Sequence, residues 1–366
     1  MRFKSLRKSN QVFIFAALLF AGLYYGAGLL VPLTFAVFFA ALVLPVIYWL
    51  EKKTGIGKPF SSFLGTLLIF IGIGILLFFF VQQLGVFLQD IIESKDQIIS
   101  YLRKVQLKAA DVTGFSLQEQ NKLLEESIME LLNMTQTYVS GILTGITGLV
   151  LNFLLVLILM FLVLLNRDKF EKFLMMYIKP ERQEETKEVI QEARKVAYKY
   201  LWGRLQVMTI LAALYLVLFT AYDLRHTGLL ILFGALITII PYIGPFISGT
   251  LPILFLIIFG GTVEEIISFT ILIAIVQLIE SYVLEPIIIG SEVEQSPLFI
   301  ILAIILGGML WGPAGFILFV PIFSMLKIVF DHTKGLEPVG YLLGNERPGS
   351  KENLMEKIKR KIGRKN

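Results

Sequence analysis

Near its C-terminal end the chain places two carboxylates and several hydroxyl or amide groups inside an otherwise apolar stretch: Gln277-x-x-Glu280-Ser281-Tyr282-x-x-Glu285-Pro286. An ionisable side chain within a membrane-spanning helix costs about 2.5–3.5 kcal/mol on insertion scales, so it faces a bundle interior, a cavity or the interface. Glu280 and Glu285 could hydrogen-bond a polar solute, attract a cation or exchange a proton. If the segment is an α-helix, Gln277 and Ser281 share a face at i, i+4, with Glu280 close by. The bland alternative is a pair of solvated interfacial charges at the inner end of the span. Glu264 and Glu265 read as loop charges.

A second group of residues could shape a path. Pro241, Tyr242, Gly244 and Pro245 in the run PYIGPF interrupt an apolar stretch, and so do Pro297, Gly307, Gly308, Gly312, Gly315 and Pro321. Backbone that leaves the helix inside hydrocarbon must find partners in protein or in a water-lined cavity, so broken apolar segments mark solute pathways in transporters. PYIGPF could also be a tight turn outside the membrane. The glycine pairs Gly22/Gly26, Gly141/Gly145 and Gly308/Gly312 fit small-xxx-small spacing, for which helix packing is the simpler reading.

These residues sit in a chain whose solvent is lipid. Of 366 residues 56% are hydrophobic and 17% charged, with a mean hydropathy of +0.77, far from the balance of a water-soluble domain. Cysteine is absent, so disulfides and thiolate chemistry are excluded, and the only histidines, His226 and His332, form no HExxH pair. Neither a phosphate-cradling GxxxxGK[ST] loop nor a GxSxG nucleophile elbow occurs. The expectation is a protein that is not an enzyme and uses no cofactor or metal, with the lipid bilayer and a small solute as partners and no nucleic acid.

The elements that must position the polar residues follow from apolar run lengths, a span needing about 20 residues. Four basic residues, Arg2, Lys4, Arg7 and Lys8, precede Val12 to Val31 and then Pro32 to Leu50, read as two uncleaved spans turning near Pro32. Further spans are expected over Phe63 to Val81, Gly145 to Leu165, Gln206 to Tyr222 and Ile266 to Leu284. Leu229 to Phe259 and Pro297 to Phe330 could each be one broken span or a hairpin of short arms. The reading is an all-α integral membrane protein of about eight spans. Between the third and fourth spans, residues 82–140 carry amphipathic spacing, a break at Asp111 to Gly114, a capping box at Ser116 to Glu119 and a net charge of −3. Residues 166–204 carry +3, with Pro180 and Glu181, Glu184 and Glu185 opening a helix. By the positive-inside rule both termini, the 51–60 loop and residues 166–204 are cytoplasmic and residues 82–140 face outside. The basic run from Lys357 to Lys365 could bind anionic lipid, although a solvated tail is the plainer reading. The domains expected are 1–81 (three spans), 82–140 (outer helical insert), 141–165 (fourth span), 166–204 (cytoplasmic helical segment), 205–330 (transport region) and 331–366 (basic tail).

The order of elements, with PYIGPF, the Gln277 to Pro286 run, Pro297, Gly307-Gly308, Gly312, Gly315 and Pro321, resembles the autoinducer-2 exporter (AI-2E) family over most of the chain. The resemblance implies a multi-pass inner-membrane protein that exports the furanone signal autoinducer-2 or, as some members look, exchanges Na⁺ or Li⁺ for protons, and it implies oligomeric, pentameric assembly. Glu280, Ser281 and Glu285 stand where the family often has Asn or Gln. A reading of another class is a membrane scaffold that recruits partners through its extramembrane helices. A scaffold has no reason to keep Gln277, Glu280 and Tyr282 in an apolar span, which favours transport.

Overall fold

The computed structural model describes residues 2–93, 148, 150–289 and 295–344. These residues are helical almost throughout, and an isolated bridge between Gln295 and Gly344 is the one β contact among them. The expected insert helices beyond residue 93, the capping box at Ser116 and the basic tail beyond residue 344 lie outside the described residues. In chain order the helices are α1 (Arg2–Tyr25), α2 (Ala27–Thr54), α3 (Lys58–Glu93), α4 (Val150–Leu165), α5 (Arg167–Met176), a 3₁₀ turn (Pro180–Arg182) leading into α6 (Gln183–Ala221), α7 (Thr227–Ile237), α8 (Ile243–Ile258), α9 (Val263–Ile279) running on as a π-helix (Glu280–Ile289), α10 (Pro297–Trp311), α11 (Pro313–Asp331) and α12 (Glu337–Leu343). Helices α2, α3, α6, α9 with its π extension, and α11 are long and apolar enough to cross a membrane, and α4–α5 makes a sixth if that bent pair is one span. Where about eight spans were expected, the remaining apolar segments are shorter: Phe13–Tyr25, Thr227–Ile237, Ile243–Ile258 and Pro297–Trp311.

Two boundaries differ from the sequence reading. The first two helices part at Gly26, and Pro32, where a turn was expected, lies buried inside α2. A proline one turn into a helix gives up a single ladder bond, which the rest of this 28-residue apolar helix tolerates. The apolar run expected as the fifth span, Gln206 to Tyr222, does not open its own helix. It lies in a helix of 39 residues that begins at Gln183 and ends at Ala221.

The chain divides into two compact units. One comprises Gly28–Glu171 and Leu201–Gly290. Its first core is a stripe on α2, Ala36, Ala40, Val43 and Ile47, whose i, i+4, i+7, i+11 spacing packs against Met160 and Leu164 of α4. At the end of α4 the Asn166 amide donates to the Leu162 carbonyl, in competition with the backbone ladder, and the helix bends by 65°. Arg167, beside that bend, grips both carboxylate oxygens of Glu51 at 2.6 and 2.7 Å and lies over the Tyr48 ring. A second core gathers Val207, Leu211, Tyr215 and Phe219 of α6 with Phe255 of α8 and Phe269 and Ile273 of α9.

Helices α7 and α8 form a hairpin within this unit. Its arms, 11 and 16 residues, are about 16 and 24 Å long and thus shorter than a hydrocarbon core of about 30 Å. At the open end His226 lies 2.9 Å from Asp90 of α3, among the rings of Phe87, Phe255 and Phe259. At the tip the Ile243 N–H donates to the Pro241 carbonyl (2.7 Å) around Tyr242, whose φ of 64° and ψ of −48° make a rare γ-turn of positive φ. Gly244 tucks in below it, where a Cβ would overlap the backbone of Ile237 and Thr238.

The other unit comprises Met1–Ala27, Lys172–Tyr200 and Ser291–Asn366. Here α10 and α11 pack backbone to backbone: a Cβ on Gly307 would meet the Gly315 carbonyl, and the reverse holds. The tight turn between them is Gly312, at φ 57° and ψ −136°, a region open to glycine alone. The Trp311 indole beside it donates to the Leu23 carbonyl of α1 at 2.9 Å. At the other end of the hairpin α12 folds back, and the Ser296 N–H donates to the Leu343 carbonyl at 3.0 Å.

Candidate functional site

The first unit holds a column of polar groups along one side of α6. Arg204 and Tyr215 are 11 residues apart, close to three full turns, so both fall on the buried face of that helix. Tyr215 donates to Ser248 of α8 (3.2 Å), and the Gln277 amide nitrogen of α9 donates to both Tyr215 Oη (3.0 Å) and Ser248 Oγ (3.1 Å). Ser248 in turn donates to the Pro245 carbonyl (3.2 Å), which ties this trio to the PYIGPF tip. Three turns along α6, Arg204, with 3% of its side chain exposed, forms an ion pair with Glu285, which is 35% exposed.

Glu280 stands between these two levels. Its side chain is completely buried, and it feels the charges of Arg204 and Glu285 while acting on the Tyr215 hydroxyl. Among the described residues neither of its carboxylate oxygens has a hydrogen-bond partner, and the same holds for the Gln277 amide oxygen one turn away. Three acceptor oxygens thus sit in a low-dielectric interior with no donor aimed at them, an arrangement whose polar groups ordinarily need a partner. Such a group can accept hydrogen bonds from a solute, hold a cation or take up a proton.

The remaining expected residues are placed as follows. Pro241 and Pro245 are half-buried at the hairpin tip, Gly244 is buried there and the Tyr242 ring is exposed, within electrostatic reach of Glu285. Ser281, Tyr282 and Pro286 face outward, Tyr282 with 77% of its surface exposed. The polar stripe expected from Gln277 to Ser281 therefore does not form. The π-helix starting at Glu280 changes the winding, and Glu280 rather than Ser281 accompanies Gln277. Gly307, Gly308, Gly312, Gly315 and Pro321 lie in the α10–α11 hairpin of the other unit, where the glycines allow the helices to touch. Among the described residues no group of three His, Cys, Asp or Glu side chains could hold a metal.

The sequence reading missed Arg204, Tyr215 and Ser248. Arg204 was counted with the cytoplasmic charges, and a Tyr and a Ser on apolar helices carry no signal of their own. The 11-residue interval from Arg204 to Tyr215 was the one available clue.

The family model described as AI-2E family transporter matches residues 13–335. Among individual relatives, YrrI of Bacillus subtilis (strain 168) is 28% identical over 315 residues, covering 82% of this chain and 86% of YrrI. YhhT of Escherichia coli (strain K12) is 25% identical over 363 residues, covering 90% of this chain and 92% of YhhT. The AI-2 transport protein TqsA of the same strain is 24% identical over 330 residues, covering 90% of this chain and 93% of TqsA. With the family model spanning nearly its whole length, and with several helices apolar and long enough to span a bilayer, this chain belongs to the AI-2E family of membrane transporters.

Proposed function

We propose that this protein is a secondary or facilitated transporter that carries a small polar organic solute out of the cell, with the 205–330 region as its transport region and the face formed by Gln277, Glu280 and Glu285 opposite α6 as the solute-contacting surface. The observation that carries the reading is Glu280, a fully buried carboxylate with no donor at either oxygen among the described residues. A side chain kept in that state destabilises the fold, which is characteristic of a functional site rather than of packing. The hairpin tip belongs to the same surface because Pro245 accepts from Ser248. An autoinducer-2-like solute is the first choice, supported by the likeness to TqsA. Exchange of Na⁺ or Li⁺ for protons is a second reading, favoured by the all-acceptor character of the Glu280 and Gln277 oxygens. A scaffold without transport leaves the burial of Glu280 unexplained. Cytoplasmic termini and an outer 82–140 segment belong to the proposal through the Lys/Arg asymmetry, and homo-oligomeric assembly through the family.

The test is flux in proteoliposomes, with autoinducer-2 and with radioactive Na⁺, each with and without a pH gradient. The wild-type protein should move at least one of them, and Glu280→Gln should lower the rate about tenfold or more and flatten its pH dependence. Flux of both probes at the level of protein-free vesicles, or a Glu280→Gln variant with the wild-type rate and pH profile, refutes the assignment.

A further inference from the structure

Glu280 and Glu285 are five residues apart, and in an α-helix of 3.6 residues per turn they would point about 140° away from each other. Yet Glu280 is buried and Glu285 meets Arg204 of α6. The winding reconciles the two. From Glu280 to Ile289 the chain forms a π-helix of ten residues, and its i→i+5 bonding brings residues five apart to within about 50° of each other. Pi segments are rare and short because each widened turn gives up packing, so one of this length needs a local cause.

Pro286 supplies that cause. It has no N–H to give the ladder, and in an α-helix its ring would run into the carbonyl of Tyr282. Widening the coil removes that collision. On the facing helix Gly203 accommodates the widened coil: a Cβ there would stand 3.1 Å from Ile289 Cγ1 and 3.4 Å from the Ile288 carbonyl. The bare backbone of α6 thus receives the π segment one residue before Arg204.

We propose that Pro286 is a positioning residue, which holds the π wind and thereby aims Glu285 at Arg204; its importance for transport rests on the reading of the polar column as the solute surface. Without the proline the segment regains its ladder bond and returns to α winding. Glu285 then turns about 140° from Glu280 and leaves the face that Glu280 presents to α6, while Leu284, which already packs against the α6 core, stays within about 40° of Glu280. The ion pair is lost and the apolar contact remains.

The chain has no cysteine, so thiol pairs can report the winding directly. In the full-length protein, Arg204→Cys with Glu285→Cys should crosslink readily with a short bifunctional thiol reagent, and Arg204→Cys with Leu284→Cys is the reference, since Leu284 stays on the α6 side in either winding. Adding Pro286→Ala should slow the first pair about tenfold relative to the second. An unchanged ratio of the two rates overturns the proposal. So does the loss of both crosslinks, which would make the proline necessary for folding rather than for aim. In proteoliposomes Pro286→Ala should transport like Glu285→Gln, and the double variant should be no worse than either. Wild-type flux in both single variants, with the first crosslink slowed, removes the solute-surface reading and leaves the effect of Pro286 on winding; fully additive losses overturn the positioning role itself.

Discussion

Replacing Glu280 by Met should make the protein more stable and inactive. The two carboxylate oxygens lack donors among the described residues and the side chain is completely buried. A buried acceptor left unpaired costs about 1–3 kcal/mol, so two of them cost about 2–6 kcal/mol. Against this stands the lost attraction to Arg204, itself offset by relief from the like charge of Glu285. Methionine fills a similar volume with an unbranched apolar chain, so no large cavity is left. The net expectation is a gain of about 1–4 kcal/mol, as found where activity requires a destabilised site. The measurement is unfolding in mixed micelles in solute-free buffer, followed by the fluorescence of the three tryptophans, beside flux in proteoliposomes. Gln277→Leu is the contrast, because it surrenders two bonds, to Tyr215 and Ser248, of about 0.5–1.5 kcal/mol each while removing one unpaired oxygen; it should be neutral or destabilised. If Glu280→Met loses more than about 1 kcal/mol, the carboxylate is held by partners and the argument for a solute-facing role collapses.

Two further outcomes follow from the α7–α8 hairpin. Tyr242→Gly should stabilise the protein by about 1 kcal/mol by relieving the positive φ, whereas Gly244→Ala should destabilise it and cut flux, since its methyl would enter the Ile237–Thr238 backbone; equal effects of the two in an unfolding assay would contradict the turn geometry. At the open end, burial lowers the His226 pKa from its ordinary 6.5, against the pull of Asp90. The folded state then binds fewer protons than the unfolded state, so the stability from this residue is present above about pH 6.5 and is lost as pH falls through the lower folded value. Melting temperatures from pH 8 to 5 should show that loss in the wild type and less of it in His226→Gln, and an identical slope in both would exclude His226 as its source.

The class of the protein and much of the polar column were legible in the sequence because lipid imposes strict demands. A carboxylate in an apolar run is costly, so Glu280 and Glu285 stood out by type alone. What could not be read was which face they took. Side-chain direction was inferred from α winding, and the π-helix turned Ser281 and Tyr282 outward while bringing Glu285 to Arg204. Pro286 was in plain view, yet a proline in an apolar segment is equally compatible with a kink, a turn or a widened coil. Arg204 was hidden for a different reason: sequence places it at the edge of a charged segment, and only the unbroken helix from Gln183 to Ala221 carries it inward. Gly26 replaced Pro32 as the first break because a long apolar helix absorbs a proline near its start more easily than the sequence pattern suggests.

The glycine contact between α10 and α11 has a consequence for permeation. Where Gly307 and Gly315 meet, there is no room for even a methyl group between the two backbones, and a water molecule is no smaller. At that level the seam is watertight, and neither a hydrated ion nor a proton-conducting file of water can slip between the arms. The residue type that makes the turn at Gly312 also makes this close contact. At the level of Gly307 and Gly315 nothing passes between the two arms.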